Sequence, residues 1–145
     1  MEVKTEKTTL INLSETLVRF NEVDPMGIVW HGNYIKYFED GREAFGAQYG
    51  ISYLNVYKQG LTIPLVSINC DYKKSLQYGD KAIIETKFID SPAAKILFEY
   101  KIYRASDHSL AATGKSTQVF LNKKGELQLI IPDFIIEWKK QMGFL

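Results

Sequence analysis

The chain has 145 residues, enough for one domain with its own core and too few for two ordinary domains. Its 18 lysines and arginines nearly balance 17 acidic residues, and the net charge of +1 argues against nucleic acid or an anionic membrane as a partner. The charged residues 1–7 do not fit a secretory signal, and no apolar run approaches the roughly 20 residues of a membrane span. Cys70 is the single cysteine, which excludes an internal disulfide and favours a reducing compartment. We therefore expect one cytoplasmic domain over residues 1–145.

The first half of the chain predicts a strand followed by a long helix. Residues 14–20 alternate in polarity as a half-buried strand does. Over residues 33–49 the period changes, and apolar residues recur at three- and four-residue spacing, as on one helix face. Gly41 lies on this face, where a missing side chain lets another backbone approach closely. The residues of the face are Tyr34, Tyr37, Phe38, Gly41, Phe45 and Tyr49.

The second half predicts a sheet. The expected elements are a short helix capped by Ser52 and running through Tyr57, strands over residues 63–73, 81–89, 95–104 and 110–121, a short last strand over 127–130, and a helix from Pro132 toward Met142. Val66, Ile68, Cys70 and Tyr72 share the apolar phase of their strand, which predicts an unreactive, buried thiol. Short links between the strands imply antiparallel neighbours. The fold class is therefore α+β, with a long helix packed on an antiparallel sheet of about five strands.

The segment DPMGIVWHGNY joins an acid, a turn and a helix start. Pro25 and Gly27 suit a tight turn, so Asp24 should be held in place. A helix that begins at about His31 leaves its first N–H groups without internal partners. A carboxylate beside oriented amides indicates acyl chemistry.

These residues resemble a known family. The matching positions are Asp24, Gly27, Val29, Trp30, His31, Tyr34, Tyr37, Phe38, Glu39 and Arg42. The pattern resembles the hotdog-fold acyl-CoA thioesterases of the 4-hydroxybenzoyl-CoA thioesterase type. Many relatives carry a second acid two residues before the key aspartate. This chain has Glu22 there, which keeps the negative charge but changes how far the carboxylate extends from the backbone.

The resemblance implies a hotdog fold and hydrolysis of an acyl- or aroyl-CoA to the free acid and coenzyme A. By analogy Asp24 is the nucleophile, forming a mixed anhydride, or the general base toward water; the sequence leaves both routes open. The backbone N–H of His31, with Gly32 as a possible second donor, would stabilise the oxyanion. Coenzyme A enters as part of the substrate, and no other cofactor is implied. Relatives also imply a homodimer or homotetramer whose active site forms between subunits.

Further residues have two interpretations each. Trp30, Tyr34 and Lys95 are the substrate-binding candidates, although aromatic residues at helical spacing are more often core. The His31 imidazole could orient the carbonyl or be a simple helix-start residue. Glu39 is a reserve catalytic acid, with an ion pair to Arg42 favoured. Two separated histidines and one cysteine predict no metal site.

Two other functions fit the same residues. A hotdog hydratase or dehydratase needs a histidine and an acid on opposite sides of a β-hydroxyacyl thioester, which His31 and Asp24 could imitate. The same pocket could also bind acyl-CoA without turnover, as a sensor or carrier. Neither the acyl group nor the carrier, coenzyme A or acyl carrier protein, follows from the sequence.

Overall fold

The computed structural model describes residues 8–145, so the expectation that residues 1–7 are not a secretory signal lies outside the described residues. The strands are β1 (Ile11–Leu17), β2 (Leu65–Tyr72), β3 (Lys81–Ile89), β4 (Lys95–Arg104) and β5 (Ser109–Val119). The helices are α1 (Asn33–Tyr49), α2 (Tyr53–Lys58) and α3 (Asp133–Met142), and a one-turn 3-10 helix, Phe20–Glu22, follows β1. None of the described helices is long and apolar enough to span a membrane.

The five strands form one sheet in the order β1-β3-β4-β5-β2, with every neighbouring pair antiparallel. Strands β1 and β2 are the two edges, and α1 packs across one face. Short hairpin links join β3 to β4 and β4 to β5. Links this short can join only antiparallel neighbours. The prediction of a long helix on a five-stranded antiparallel sheet is confirmed.

The aromatic face of α1 makes the core. Tyr37, Phe38 and Phe45 are completely buried. Phe38 stacks on Tyr100 of β4 with ring centroids 4.6 Å apart, and Phe45 meets Phe98 edge to face at 5.0 Å. Burying one such ring stabilises the fold by about 1.5–3 kcal/mol. The predicted bounds of α1 agree with the structure because this periodicity decides them.

Gly41 brings the backbone of α1 onto β3. A Cβ atom at this position would overlap Thr86 Oγ1 and lie 2.8 Å from Ile84 Cγ2. Both neighbours belong to the buried face of β3. Gly41 is therefore the close-packing residue that the sequence predicts.

Strand β1 lies three residues earlier than predicted, and the expected range of 14–20 was wrong. Its ladder with β3 ends at the pair Leu17 and Lys81, where β3 begins. The N–H of Val18 still donates to the carbonyl of Asp80 at 2.8 Å, and the chain then turns into the 3-10 helix. Phe20, expected in the strand, lies on this turn and is 78% exposed.

Strand β2 is less buried than its alternation predicts. Val66 and Tyr72 are 58% and 50% exposed, because β2 is an edge strand. Cys70 is half-buried, and burial raises the pKa of its thiol, as expected for an unreactive cysteine.

The predicted last strand over residues 127–130 was wrong. Leu127 makes a single isolated bridge to Leu121. Leu129 and Ile130 extend beyond it and are more than four-fifths exposed. The Gln128 N–H still donates to the Phe120 carbonyl at 2.9 Å, but among residues 8–145 the run makes no further ladder contact, so sequence preference alone does not form a strand here.

Helix α3 closes the far end of the core, beside the end of α1. The indole N–H of Trp138 donates to the carbonyl of Tyr49 at 2.7 Å. Lys139 is buried, with its Nζ 2.9 Å from Asp90 Oδ1 and 2.7 Å from the Ser91 carbonyl. This ion pair ties α3 to the turn between β3 and β4.

Gly41→Ala tests the contact between α1 and β3. In an exposed helix the change would gain about 1 kcal/mol. Here we expect a loss of about 1–3 kcal/mol, because the added methyl overlaps Thr86 in a packed core. Urea unfolding measures the difference, with Glu43→Ala on the exposed side of α1 as the control. An unchanged or raised stability for Gly41→Ala would contradict the packing role.

Candidate active site

Asp24 is held in the turn that the sequence predicts. Its N–H donates to the carbonyl of Ile28 at 2.8 Å, and its carbonyl accepts from the N–H of Gly27 at 2.9 Å. One carboxylate oxygen, Oδ1, accepts from the N–H of Met26 at 2.8 Å. Gly27 has a φ of 78°, the left-handed conformation that favours glycine. The turn leaves the carboxylate half-buried, with its other oxygen available for chemistry.

The first turn of α1 leaves two amides available. The N–H of Asn33 donates to the Trp30 carbonyl at 2.9 Å, and that of Tyr34 reaches the His31 carbonyl at 3.4 Å. Among residues 8–145, the N–H groups of His31 and Gly32 have no hydrogen-bond acceptor. These are the two donors that the resemblance implies, and the positive end of the helix dipole adds to their attraction for an anion.

Glu22 joins the two parts of the site. It is 3% exposed, and its Oε1 accepts from the Arg19 N–H at 2.8 Å and from the Tyr37 hydroxyl at 3.1 Å. Its other oxygen lies 3.1 Å from Lys36 Nζ. Burial alone would raise the pKa of Glu22, but these three donors outweigh it and lower the pKa below its ordinary value. The carboxylate is therefore charged at neutral pH.

The carbonyl of Glu22 is also used. It accepts from the N–H of Trp30 at 2.9 Å and from Asn33 Nδ2 at 2.8 Å. The segment before Asp24 and the start of α1 thus form one hydrogen-bonded hairpin. The sequence marks Glu22 only as a departure from the family pattern; the spacing of Lys36 and Tyr37 gives no sign of this contact.

Tyr72 is a site residue that sequence reasoning missed. Its hydroxyl donates to the carbonyl of His31 at 2.8 Å, and its ring meets that of Tyr34 edge to face at 5.0 Å. Burial raises the pKa of Tyr72, so its hydroxyl keeps its proton. The contact joins residues 41 positions apart, a separation for which the sequence carries no local signal.

The predicted substrate-binding aromatics take different places. Trp30 is 53% exposed, and its ring lies over Gly32, where a Cβ atom would overlap it. The exposed His31 imidazole lies 4.8 Å from the same ring. Tyr34 lies beneath the site in the core, with its hydroxyl accepting from the Leu76 N–H at 3.2 Å. Trp30 can therefore contact a ligand directly, whereas Tyr34 supports the site from the core beneath it.

Lys95 is not brought to Asp24 within one chain. It pairs with Val119 at one end of the sheet, whereas Tyr72 pairs through Ala112 to Ile102 at the other end. Seven residues of β4 separate the two levels, a distance of about 23 Å. A role for Lys95 at this site would require a second copy of the chain.

A cavity of about 480 Å³ lies between α1, α2 and the sheet. Its walls are mainly apolar, and include Ile51, Ile96 and Phe98. Glu39 and Arg42 line its rim and form the predicted ion pair, with 3.7 Å between Oε1 and Nη2. Ten residues of α1 separate Gly32 from Arg42, about 15 Å along the helix axis. Within residues 8–145, no cluster of three or more histidine, cysteine or acidic residues could hold a metal ion.

Comparison with known proteins identifies the family. The model of the Thioesterase-like superfamily matches residues 18–139, most of the chain. The chain belongs to the Thioesterase-like superfamily. A Bacillus subtilis member named "Putative acyl-CoA thioesterase YneP" is 34% identical over 135 residues, which cover 90% of this chain and 96% of that protein.

Solved structures of two thioesterases share the fold. The DHNA-CoA thioesterase from Staphylococcus aureus superposes with a TM-score of 0.80 and 27% identity over 90% of each chain. The 4-hydroxybenzoyl-CoA thioesterase from Pseudomonas sp. strain CBS-3 gives a TM-score of 0.77 over 88% of this chain and 98% of that chain; at 24% identity it shows the fold alone. The predicted hotdog fold and family resemblance are confirmed, and the protein is a thioester hydrolase.

The lowered pKa of Glu22 predicts a pH-dependent stability. A carboxyl group whose pKa is lower in the folded state stabilises the fold above its unfolded pKa, and this stabilisation is lost as pH falls through the folded value. We expect native protein to exceed Glu22→Gln in unfolding free energy near neutral pH. The difference should shrink over the acidic range, as pH falls below the ordinary glutamate pKa of about 4.3. Urea unfolding across this range measures it, with the exposed Glu137→Gln as control; a difference independent of pH would contradict the charged state of Glu22.

Proposed function

We propose that the protein hydrolyses an acyl- or aroyl-CoA thioester to the free acid and coenzyme A. The observation that carries this proposal is the shared hairpin, which holds a partly exposed carboxylate at Asp24 and two amides without acceptors at His31 and Gly32. Hydrolysis of a thioester requires these two elements, a nucleophile or base and an oxyanion donor. The relatives named as CoA thioesterases support the same reaction.

The thioester carbonyl oxygen would accept from the His31 N–H, with Gly32 as the second donor. In one route Asp24 attacks the carbonyl carbon, the C–S bond breaks to release coenzyme A thiolate, and water hydrolyses the resulting mixed anhydride. In the other, Asp24 removes a proton from water as the water attacks, and the thiolate leaves with a proton. Both routes give the same products. One oxyanion donor contributes about 3 kcal/mol to the transition state.

The active unit would be a pair of chains joined through β2. This strand has a free edge in the single chain, and its Val66 and Tyr72 are exposed. Exposed apolar edges invite pairing, and a two-fold axis would pair the two β2 strands antiparallel. The end of β2 at Tyr72 would then meet the end at Leu65 of the second copy. That arrangement brings the second copy's cavity and Lys95 toward Asp24 and His31, which completes an acyl-CoA site.

The proposal also gives the substrate-binding candidates their roles. Trp30 would cover the bound thioester, Tyr34 would support the floor, and Lys95 would meet coenzyme A phosphates from the second copy. No cofactor besides the coenzyme A of the substrate is invoked. The reducing cytoplasm suits a chain with Cys70 as its single cysteine.

Asp24→Asn tests the chemistry. The asparagine keeps Oδ1 as the acceptor for Met26, so the turn survives while the nucleophile or base is lost. We expect thiol release from a panel of short, long and aromatic acyl-CoAs to fall at least about 100-fold. Asp107→Asn is the matched control, because Asp107 makes the same kind of turn contact, to the Ser109 N–H at 3.1 Å, in the β4–β5 hairpin.

Full activity in Asp24→Asn would contradict the role of Asp24. Absence of thiol release by the native protein would contradict the thioesterase proposal. Formation of an enoyl thioester, followed by absorbance, would then indicate a hydratase or dehydratase. Tight acyl-CoA binding without turnover would indicate a binding protein.

Val66→Asp tests the paired unit. The change places a charge on the free edge of β2, where two copies would meet. We expect the native chain to sediment as a dimer or tetramer, and the variant to sediment as a monomer with little thiol release. Leu129→Asp is the control, since Leu129 is 83% exposed and lies outside β2. A native chain that is monomeric and active would overturn the proposal of a shared site.

A further inference from the structure

Glu22 is the most connected polar residue of the site, yet its side chain is shielded from any ligand. Its carboxylate accepts from Arg19, Tyr37 and Lys36, and it is 3% exposed. Its carbonyl accepts from Trp30 and Asn33. Glu22 therefore accepts five hydrogen bonds at the junction between β1, the Asp24 turn and α1.

The placement of these bonds matters for the oxyanion donors. Trp30 and Asn33 are both bonded to the same carbonyl, and His31 and Gly32 lie between them in the chain. The two available amides are thus held on a short segment fixed at both ends. Asp24 follows Glu22 by two residues in the first arm of the hairpin, and the two amides follow the second arm. The side-chain contacts of Glu22 to Arg19, Lys36 and Tyr37 anchor the backbone that carries this carbonyl, so their loss would loosen the amide segment relative to the Asp24 turn.

Stability alone gives a weak reason for a buried carboxylate here. A buried charge loses its hydration, and replacing a buried ionic contact by well-packed apolar groups is often neutral or stabilising. Lys36, the ionic partner, keeps 48% of its side chain exposed, so its pairing contributes little. The donors from Arg19 and Tyr37 instead fix the direction of the carboxylate.

We propose that Glu22 is a positioning residue, which sets the distance between the Asp24 carboxylate and the His31 N–H without touching the substrate. The inference rests on the proposed thioesterase reaction. It predicts that removing the side-chain contacts of Glu22 lowers turnover rather than substrate binding. A displacement of about 1 Å between catalytic groups reduces turnover about 100-fold.

Two substitutions separate the contacts. Glu22→Ala removes all three carboxylate contacts, and we expect kcat to fall about 10- to 100-fold with KM little changed. Glu22→Gln retains Oε1 as the acceptor for Arg19 and Tyr37, while Lys36 turns to solvent. We expect this conservative variant to recover most of the lost turnover.

Lys139→Met is the matched control for lost stability. Lys139 is as buried as Glu22, and its ion pair with Asp90 lies at the far end of the core. The Lys139→Met substitution should lower the melting temperature while leaving kcat unchanged at an assay temperature well below unfolding. The binding stoichiometry of a non-hydrolysable thioether analogue of acyl-CoA is measured in each variant. A positioning role predicts one site per chain in Glu22→Ala, whereas partial unfolding predicts a stoichiometry that falls in proportion to kcat.

Amide hydrogen exchange gives a readout that needs no turnover. In Glu22→Ala we expect the backbone amide of Trp30, which donates to the Glu22 carbonyl, to lose protection, and in Lys139→Met to keep it. Native kcat in Glu22→Ala, a proportional fall in stoichiometry, or unchanged protection would overturn the inference. Failure of the thioesterase proposal is a separate result, in which the native protein itself releases no thiol.

Discussion

The packing of α1 on the sheet is the constraint on which the rest of the structure depends. Gly41 sets its depth, because the helix backbone lies directly against Thr86 of β3. The hydroxyl of Tyr34, accepting from Leu76, then ties the first turn to the segment after β2. A helix fixed at its middle and its start has little freedom to tilt. The position of the His31 and Gly32 amides thus depends on core packing as well as on the Glu22 carbonyl that binds Trp30 and Asn33.

The loop before α1 is fixed by polar contacts as well as by Val18 and Val29, which reach the core. Phe20 is exposed, and the 3-10 turn contributes the buried Glu22 instead. Burial and the neighbouring Glu22 raise the pKa of Tyr37, so its hydroxyl stays a proton donor to the carboxylate. Core and site meet at this bond, because Tyr37 belongs to the aromatic face of α1. The same side chain therefore stabilises the fold and directs Glu22, which lies two residues before Asp24.

Local chemistry in the sequence predicts part of this arrangement. The bounds of α1, the Ser52 cap and the Asp24 turn depend on residues within one or two turns of each other, and these expectations agree with the structure. The end of β1 depends on where β3 begins, and the exposure of Val66 depends on β2 being an edge. Neither is encoded in nearby residues. The contact of Tyr72 with His31 fails to appear in the sequence for the same reason, and the roles of Asp24 and His31 remain predictions.

Tyr72 connects the free edge of the sheet to the candidate site. It is the last residue of β2, and its hydroxyl binds the His31 carbonyl at the start of α1. Half of its surface is exposed in the single chain, so its ring is only partly restrained. A second strand paired along β2 would restrict Tyr72 and, through it, the peptide next to the His31 amide. Association of two copies would then do more than bring a cavity to the site, because it would also hold the oxyanion donors in place.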